Sequence, residues 1–382
     1  MREFWRRLTS VKRLTWEIIL VSFIINFLGL ASSIYSIQVL NRYLALGIDS
    51  TLITLTIGAI LALVLELLTR SSRLRIVQWI CLRADKKLSD ITYKLISSSR
   101  YSAIESLPVE NRKEALNGLN TIQMSYGAQN LISIIDGPFS LLFLFIIYML
   151  NANIAFAISI LMLVIIVFSL LIYSNSDEPS KQLNTSTLAW SSEQSVLSNN
   201  TELIRTFNVE NVLKEKWNRS LVDVLLLRKV VVYIQNISTS LTYSATALQT
   251  ILIYSIGAME VMKGNLDVGS LIGISILASR AMGNITKILQ LVEPIKRGER
   301  ALESIASLSK LGSSNNKQMM LSNWKGNLSF EDFAFAYNGQ AVPIIESFDL
   351  NVQNGQVICV TGLNGAGKTT FAKLLCGLID PT

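Results

Sequence analysis

The 382-residue sequence contains no histidine, only six prolines and three cysteines, and few charged residues, which make up 16% of the chain. Without histidine, these residues cannot supply a histidine general base or a histidine-ligated zinc site. The cysteines, Cys81, Cys359 and Cys376, do not suggest a disulfide framework, and we expect reduced thiols. Half of the residues are hydrophobic and the mean hydropathy is +0.42. This composition is typical of a membrane protein.

Six apolar stretches are long enough to cross a bilayer, which takes about 20 helical residues. They cover residues 18–40, 52–68, 132–150, 154–173, 241–262 and 268–291. The last stretch is weaker because Arg280 and Lys287 interrupt it. The polar segments after the second and before the fifth stretch keep helical apolar spacing. We therefore expect these helices to continue beyond the membrane.

Basic residues predict the topology. Five of them precede the first stretch, ten lie in residues 70–128 and seven in residues 174–230, whereas residues 41–51, 151–153 and 263–267 contain one, none and one. By the positive-inside rule, the N-terminus and both long segments are cytoplasmic. The net charge of +7 then belongs to the cytoplasmic ends of membrane helices, and we expect no nucleic-acid partner. No small-residue cleavage site follows the first stretch, so we expect it to remain as an anchor.

A phosphate-binding pattern lies near the end of the chain, with Gly362, Asn364, Gly365, Ala366, Gly367, Lys368 and Thr369. Glycines let the backbone turn so that successive N–H groups point at phosphate oxygens. In this motif Lys368 reaches the β- and γ-phosphates and Thr369 holds Mg²⁺. An apolar run at residues 356–360 predicts a strand before the loop, and the pattern from Phe371 predicts a helix after it.

The sequence therefore predicts a site for ATP and Mg²⁺. We assign cofactor binding to the loop residues named above together with Thr370, and metal binding to Thr369. Because ATP is cytoplasmic, the loop must lie inside the cell, which requires the sixth apolar stretch to cross the membrane as well.

Composition divides the chain into a cytoplasmic segment (1–17), a transmembrane domain (18–308), a linker (309–327) and part of a nucleotide-binding domain (328–382). The linker is rich in Gly, Ser and Asn. Apolar and polar residues alternate on both sides of a turn at Asn338 and Gly339. This pattern predicts that the domain begins with two antiparallel β-strands. The last segment has only 55 residues, too few to bury a full core, so we expect the first part of an α/β P-loop domain.

These parts, in this order, resemble an ABC exporter half-transporter, a mainly α protein with a six-helix transmembrane domain followed by an α/β P-loop nucleotide-binding domain. Four short segments are similar, more narrowly, to the type I secretion exporters, which move proteins out of Gram-negative bacteria. They are SIQVLNR at residues 36–42, RAD at 83–85 with LS at 88–89, DGPF at 136–139 and LASRA at 277–281.

The resemblance implies ATP-driven export of a secreted protein by a homodimer in the bacterial inner membrane, together with a periplasmic adaptor and an outer-membrane channel. The N-terminus and the nucleotide-binding domain would be cytoplasmic. By the same resemblance, Tyr337 matches the aromatic residue that stacks on adenine, with an ordinary strand aromatic as the alternative. Residues 109–119 and 210–217 match the helices that couple the two domains, with solvated helical turns as the alternative.

The family's catalytic glutamate, signature loop and switch histidine would follow Thr382. The resemblance therefore implies no catalytic residue in this chain, which we expect to bind ATP without hydrolysing it. Two other functions remain open. One is an ABC exporter of lipid, drug or small peptide, and the other is a non-hydrolysing truncated membrane protein.

Charged residues at membrane depth are costly and often functional. Glu66 and Arg70 lie four residues apart, which favours an ion pair within one helix. We expect Arg280 to face the bundle interior, where it serves either helix packing or a translocation path. We expect Asp136, which precedes Pro138, to cap a bend, and Glu260 to reach the outer membrane interface.

Overall fold

The computed structural model describes residues 2–9, 11–44, 47, 49–99, 101–106, 109–309, 326–337 and 342–379. The chain divides into two compact units. The first comprises Met1–Ser89 and Lys113–Glu303, and the second comprises Asp90–Arg112 and Ser304–Thr382. The predicted mainly α fold with a β start near the C-terminal end is confirmed.

The helices of the described residues vary from one turn to more than fifty residues. In chain order they are α1 (Arg2–Thr9), α2 (Lys12–Leu28), α3 (Ala31–Gln38), α4 (Asp49–Ser98), α5 (Tyr101–Ser106), α6 (Val109–Ser125), α7 (Ala128–Asp136), α8 (Phe139–Leu150), α9 (Ala152–Asn175), α10 (Asp177–Asn199), α11 (Thr201–Thr206), α12 (Glu210–Met262), α13 (Val268–Gln290), α14 (Val292–Ser309) and α15 (Lys368–Leu375). A π-helical turn, Val39–Tyr43, extends α3. The strands are β1 (Leu328–Phe335) and β2 (Ile345–Val352).

Five helical segments within the described residues are long and apolar enough to cross a membrane. They are Lys12–Tyr43, Asp49–Ser98, Ala128–Leu150, Ala152–Asn199 and Val268–Ser309. These segments contain the first four predicted stretches and the weaker sixth one. The predicted fifth stretch lies in the 53-residue helix α12, which is not among the five, so its crossing stays a prediction. The lengths of α4 and α12 confirm that helices continue beyond the apolar stretches.

Two predicted stretches are interrupted. The first breaks at Gly29 and Leu30, between α2 and α3, and the third breaks at Gly137 and Pro138, between α7 and α8. Proline has no N–H to donate and clashes with the preceding turn, so a helix does not pass through it undisturbed. A Cβ at Gly137 would lie 2.0 Å from Ile288 Cδ1 of α13. The small residue at this break therefore lets α13 approach closely.

Helix α13 is at the centre of the first unit, where it packs against α3, α8, α9 and α12. The shared core consists of side chains on one face of each helix, among them Phe143, Ile147, Ile158, Ile274 and Met282. The opposite faces expose large apolar side chains, including Leu61, Phe156 and Leu163. Exposed apolar surface on this scale is expected of helices surrounded by lipid.

Three charged residues connect helices within this unit. Arg70 Nη2 lies 2.6 Å from Glu66 Oε1 within α4, which confirms the predicted ion pair. Arg280 of α13 extends the pair, since its Nη1 lies 3.6 Å from the same oxygen. Arg280 Nη2 also donates to Ser32 Oγ of α3 at 3.2 Å. The contacts of Arg280 thus hold α13 against α3 and α4.

Asp136 forms a buried ion pair that the sequence pattern did not indicate. The helix breaks directly after it, as expected, but its carboxylate binds Arg73 of α4 through two hydrogen bonds of 2.5 and 3.0 Å. Arg73 is 3% exposed and Asp136 is 9% exposed. Arg73 also donates to Ser22 Oγ of α2, and Asn284 of α13 donates to the Asp136 carbonyl. One carboxyl residue therefore joins four helices.

Glu260 forms a buried hydrogen-bonded cluster near the end of α12, and its position at the outer membrane interface stays a prediction. Its carboxyl group is buried at 5% exposure and accepts hydrogen bonds from Asn153, Lys263 and Asn265 at 3.0–3.3 Å. These donors lie on α9 and on the turn after α12.

The N-terminal helix α1 is docked on the first unit. Phe4 and Leu8 are buried, and Arg7 is 1% exposed. Arg7 donates from Nη2 to Asp85 Oδ1 at 2.7 Å and from Nη1 to the Tyr126 carbonyl at 3.1 Å. Burial, and after it the nearby carboxylates of Glu299 and Glu3, raises the pKa of Tyr126 to about 12.

In the second unit, β1 and β2 pair antiparallel, with Leu328 opposite Val352 and Phe330 opposite Leu350. This confirms the predicted β start, while the predicted turn at Asn338 and Gly339 lies outside the described residues. The predicted strand at residues 356–360 is not formed as a regular strand. Val357 is 97% exposed, and no neighbouring strand among the described residues offers it a hydrogen-bonding partner.

Candidate nucleotide-binding site

The loop before α15 has the backbone geometry of a phosphate cradle. Gly365 and Gly367 have φ angles of 88° and 86°, in the left-handed region that favours glycine. At Gly367 a Cβ would also lie 2.8 Å from Ile344 Cγ2, whereas at Gly365 it would meet no atom within 4 Å. The loop thus packs closely against Ile344 at Gly367 and is open at its tip, at Gly365. Asn364, Gly365 and Ala366 are exposed there.

Lys368, the first residue of α15, folds back over the loop. Its Nζ donates to the carbonyl oxygens of Gly362 and Leu363, both at 2.8 Å. The ammonium group therefore lies at the mouth of the loop, beside the N-terminal end of the helix. An anion at this position would meet a lysine, loop N–H groups and the positive end of the helix dipole.

The two threonines that follow Lys368 differ in their surroundings. Thr369 is exposed on the first turn of α15, and its hydroxyl forms no hydrogen bond within the described residues. Thr370 is buried at 9% exposure, and its Oγ1 lies 3.3 Å from the Tyr337 hydroxyl. The structure thus places Thr370 behind the loop.

Tyr337 lies two residues after the end of β1 and close to the predicted loop. Its half-buried ring packs edge-on against Phe335, with ring centroids 5.0 Å apart. Together with Leu374 and Ile379, Phe335 forms the small core beneath α15. The structure therefore brings the predicted aromatic residue and the predicted phosphate loop together in one unit, through the hydrogen bond to Thr370.

A cation on α15 connects this helix to a distant part of the chain. Lys373 Nζ lies 2.6 Å from Glu105 Oε1 of α5, and 5.2 Å from the centroid of the Tyr101 ring. All three residues belong to the second unit. No local sequence pattern indicated this contact, because 268 positions separate Lys373 from Glu105. It lies upstream of residues 109–119, which were expected to couple the domains.

The hydrogen bond to Glu105 raises the pKa of Lys373 above its ordinary value of 10.5. A raised pKa means that the contact stabilises the protein at neutral pH, and that this contribution is lost as the pH rises through the shifted value of Lys373. The Lys373–Glu105 contact is therefore intact at physiological pH.

The residues present fit a nucleotide phosphate. The open cradle, the lysine at its mouth and the exposed Thr369 hydroxyl supply the donors and the metal ligand that phosphoryl oxygens and Mg²⁺ require. Within the described residues, no group of three or more carboxylates and thiols is arranged to hold a metal ion.

Comparison with protein families gives two matches. The family described as ABC transporter transmembrane region matches residues 15–285, which is most of the chain. The family described as ABC transporter matches residues 345–382, which include the phosphate loop and α15.

Curated relatives match nearly the whole chain at low identity. The alpha-hemolysin translocation ATP-binding protein HlyB of Escherichia coli O157:H7 is 22% identical over 369 residues, which are 95% of this chain and 52% of the relative. The leukotoxin translocation ATP-binding proteins LktB of Mannheimia haemolytica and Bibersteinia trehalosi are 21% identical over 371 residues, with the same coverage. The chain thus spans about half the length of these relatives.

Proposed function

Because the chain belongs to the ABC transporter family, we propose that it is a subunit of an ATP-driven exporter that moves a protein substrate across the bacterial inner membrane. The observation that carries the proposal is the combination of an open phosphate cradle and several membrane-length helices in one polypeptide. ATP binding in the cytoplasm and movement of a substrate through the membrane need these two parts together.

ATP would bind with its phosphates in the cradle and its adenine near Tyr337. Loop N–H groups and Lys368 would hold the β- and γ-phosphates, and Thr369 would ligate Mg²⁺. Thr370 would act behind the loop by fixing Tyr337. ATP supplies the free energy for transport, and the residues of this chain bind and orient it.

A protein substrate is supported by the names of the relatives, which describe translocation of alpha-hemolysin and leukotoxin. By extension, the chain would act as a homodimer in the inner membrane, with its N-terminus and nucleotide-binding part in the cytoplasm. A periplasmic adaptor and an outer-membrane channel would complete the route. The clustering of basic residues in the segments that we assign to the cytoplasm supports this orientation.

Nucleotide binding is tested with the purified chain in detergent and a fluorescent ATP analogue. Lys368→Ala should weaken binding by at least about tenfold, because the loop loses the charge that faces the phosphates. Thr369→Ala should instead reduce the gain in affinity that Mg²⁺ provides. Lys181→Ala, an exposed lysine of α10, is the matched control and should bind as the unaltered chain does. Unchanged binding by Lys368→Ala would contradict the site.

The substrate class is tested in the bacterium itself by mass spectrometry of the culture medium. Deletion of the gene should remove one or a few proteins from the medium. The unaltered gene and the Lys181→Ala variant should restore them, and Lys368→Ala should not. A set of secreted proteins that does not change upon deletion, together with altered lipid or drug efflux, would contradict protein export and leave nucleotide binding unaffected.

A further inference from the structure

Helix α13 receives its N-terminal cap from another helix of the first unit. The backbone N–H of Gly269, the second residue of α13, donates to Asn41 Oδ1 at 3.0 Å, although 228 positions separate the two residues. Asn41 lies in the π-helical turn that extends α3. A capping side chain normally comes from the residue directly before the helix. At α13 this residue is Asp267, whose side chain forms no cap hydrogen bond.

Asp267 has the backbone conformation that would let it cap α13 itself. Its φ and ψ angles are −85° and 154°, as in an N-cap residue, and its carbonyl accepts the N–H of Leu271. Aspartate is preferred at this position, where the helix dipole favours a negative charge. Its carboxylate is instead turned towards α3, because Oδ2 accepts a hydrogen bond from Asn41 Nδ2 at 3.3 Å. Only the side-chain torsions of Asp267 need to change for its carboxylate to replace the Asn41 cap.

We call Asn41, Asp267 and Gly269 the clasp, because their hydrogen bonds join the end of α3 to the start of α13. Glycines let the two helices meet closely here. A Cβ at Gly269 would lie 2.8 Å from the Ile37 carbonyl oxygen, and a Cβ at Gly273 would meet the Ile37 side chain. Asp267 is exposed and Asn41 is partly exposed. Water can therefore replace the clasp hydrogen bonds, which makes them inexpensive to break.

The first turn of α3 is held more firmly than its end. Helix α3 follows the break at Gly29 and Leu30, and Arg280 of α13 donates from Nη2 to Ser32 Oγ at 3.2 Å. Arg280 is itself fixed by Glu66 of α4, whose Oε1 lies 3.6 Å from its Nη1. Helix α3 is thus a short segment with a break and an anchor at its start and the exposed clasp at its end. A segment of this kind can pivot at the break.

We propose that Asn41 and Asp267 are alternative caps of α13, and that exchange between them lets the end of α3 separate from α13. In the structure, Asn41 caps α13 and ties it to α3. In the second state, Asp267 turns back to the N–H of Gly269, and Asn41 leaves together with α3. The N–H keeps an acceptor in both states, so the exchange leaves no backbone donor unsatisfied. The residue that leaves belongs to a π-helical turn, a feature that is frequent at functional sites.

Denaturant unfolding in mixed micelles tests the exchange through a double-mutant cycle. Asn41→Ala and Asp267→Ala should each lower the free energy of unfolding only slightly, because the remaining residue still caps α13. The double variant should lose more than the sum of the two, because no cap remains. Two residues that share a simple hydrogen bond give the opposite result, since either substitution already removes the bond. Tyr43→Phe and Asp49→Ala, which break such a bond at the same turn, are the matched cycle and should lose less together than their sum.

Separation of α3 from α13 is measured with a thiol at their contact. Ile37→Cys places a thiol against Gly273, and a water-soluble maleimide should modify it faster when α3 moves away. Mass spectrometry of the modified peptide distinguishes this thiol from the three native cysteines. Adding Asn41→Ala should raise the rate of modification severalfold, because the clasp is lost while α13 keeps a cap. Adding Tyr43→Phe, the matched control, should leave the rate unchanged.

The separation is also a step of transport, and this part of the proposal rests on the proposed function. Asn41→Cys with Gly269→Cys should form a disulfide on oxidation, because a Cβ at Gly269 would lie 2.8 Å from Asn41 Cγ. Oxidation should stop export by this variant, and a reductant should restore it. Gly257→Cys with Leu271→Cys is the matched pair. It joins α12 to α13 without involving α3, and it should export equally under both conditions.

The cap exchange would be overturned if the double variant of Asn41 and Asp267 lost no more than the sum of its single variants. It would also be overturned if Asn41→Ala left the modification rate of Ile37→Cys unchanged. Export that continues after the Asn41→Cys and Gly269→Cys pair is oxidised would overturn the role in transport. Absence of protein export by the unaltered chain would contradict the proposed function alone, because unfolding and thiol modification do not depend on transport.

Discussion

At the scale of single residues, the buried pair of Arg73 and Asp136 has the largest expected effect on stability. Its guanidinium and carboxylate are almost fully enclosed and share two hydrogen bonds. Removing one member of a buried pair leaves the other charge without compensation, whereas replacing both by apolar residues is often tolerated. The pair therefore specifies how α4 meets α7 and does not by itself guarantee stability.

We expect Arg73→Leu or Asp136→Leu alone to lower the free energy of unfolding by about 3–5 kcal/mol, because each leaves a buried unpaired charge. The double variant should recover most of this loss. The measurement is denaturant unfolding in mixed micelles for all members of the double-mutant cycle. The exposed pair Arg219 and Glu215 is the matched comparison, and its single variants should lose only about 0–1 kcal/mol. Additive losses at Arg73 and Asp136 would contradict the ion pair.

Arg7 illustrates the limits of a residue count. As a sequence feature it was one of five basic residues that indicate a cytoplasmic N-terminus. In the structure it is the most buried charged side chain of α1 and binds Asp85 of α4 and the Tyr126 carbonyl. A charge count gives the side of the membrane, but it does not distinguish a charge that faces water from one that packs against a helix.

At the scale of elements, small residues decide how closely the helices of the first unit pack. Gly298 of α14 lies against the turn before α7, where a Cβ would be 2.6 Å from the Tyr126 ring and 2.7 Å from Ser125 Cβ. A rigid ring and an atom next to the backbone cannot move aside easily. Gly283 of α13 has no atom within 4 Å of a Cβ position.

Gly298→Ala should therefore lower the free energy of unfolding by about 1–3 kcal/mol, the usual cost of overpacking. Gly283→Ala is the matched control, and it should raise stability by up to about 1 kcal/mol because alanine is the better helix former. Both are measured by denaturant unfolding under the same conditions. If the two substitutions had the same sign, the close approach of α14 to Tyr126 would not be supported.

The long helices show what apolar periodicity in the sequence can and cannot predict. Apolar spacing correctly indicated that α4 and α12 continue past the bilayer stretches, because one helical face keeps its pattern throughout. It did not indicate the break after α2, whereas the break after α7 was expected from Pro138. At Gly29, where α2 ends, a Cβ would lie 2.5 Å from Arg280 Nη1. Arg280 is far away in the sequence, so a local pattern contains no information about it.

At the scale of the whole molecule, the contact between Lys373 and Glu105 joins the helix after the phosphate loop to the segment that follows α4. The ammonium and the carboxylate lie 2.6 Å apart, next to the Tyr101 ring. If ATP moves α15, this contact is placed to pass the movement to α5. This role rests on the proposed function.

We expect Glu105→Lys to reduce protein export severalfold and to leave the affinity for the fluorescent ATP analogue unchanged, because its partner Lys373 lies outside the phosphate loop. The charge-swapped double variant, Glu105→Lys with Lys373→Glu, should restore export by re-forming the pair. Export is measured from the culture medium and normalised to the amount of transporter in the membrane. A double variant no better than Glu105→Lys would show that the contact does not carry the coupling.

The sequence by itself determined the features that depend on local chemistry. Apolar length indicated the helices that can cross a membrane, the glycine pattern indicated the phosphate loop, and alternation indicated the pairing of β1 with β2. The predicted strand at residues 356–360 is not formed, for a physical reason: an apolar run becomes a strand only where a neighbouring strand supplies hydrogen bonds.

Only the tertiary structure decided which distant residues meet. It paired Arg73 with Asp136, seated Arg7 beside Tyr126, brought Glu105 to Lys373 and left one oxygen of Glu293 without a donor among the described residues. Each of the three contacts joins side chains that the packing of many residues brings together. The same packing leaves the Glu293 oxygen without a hydrogen-bond donor in the described part of the chain. Spacing along the chain sets a helix face, but the three-dimensional packing of those faces decides which charges become partners.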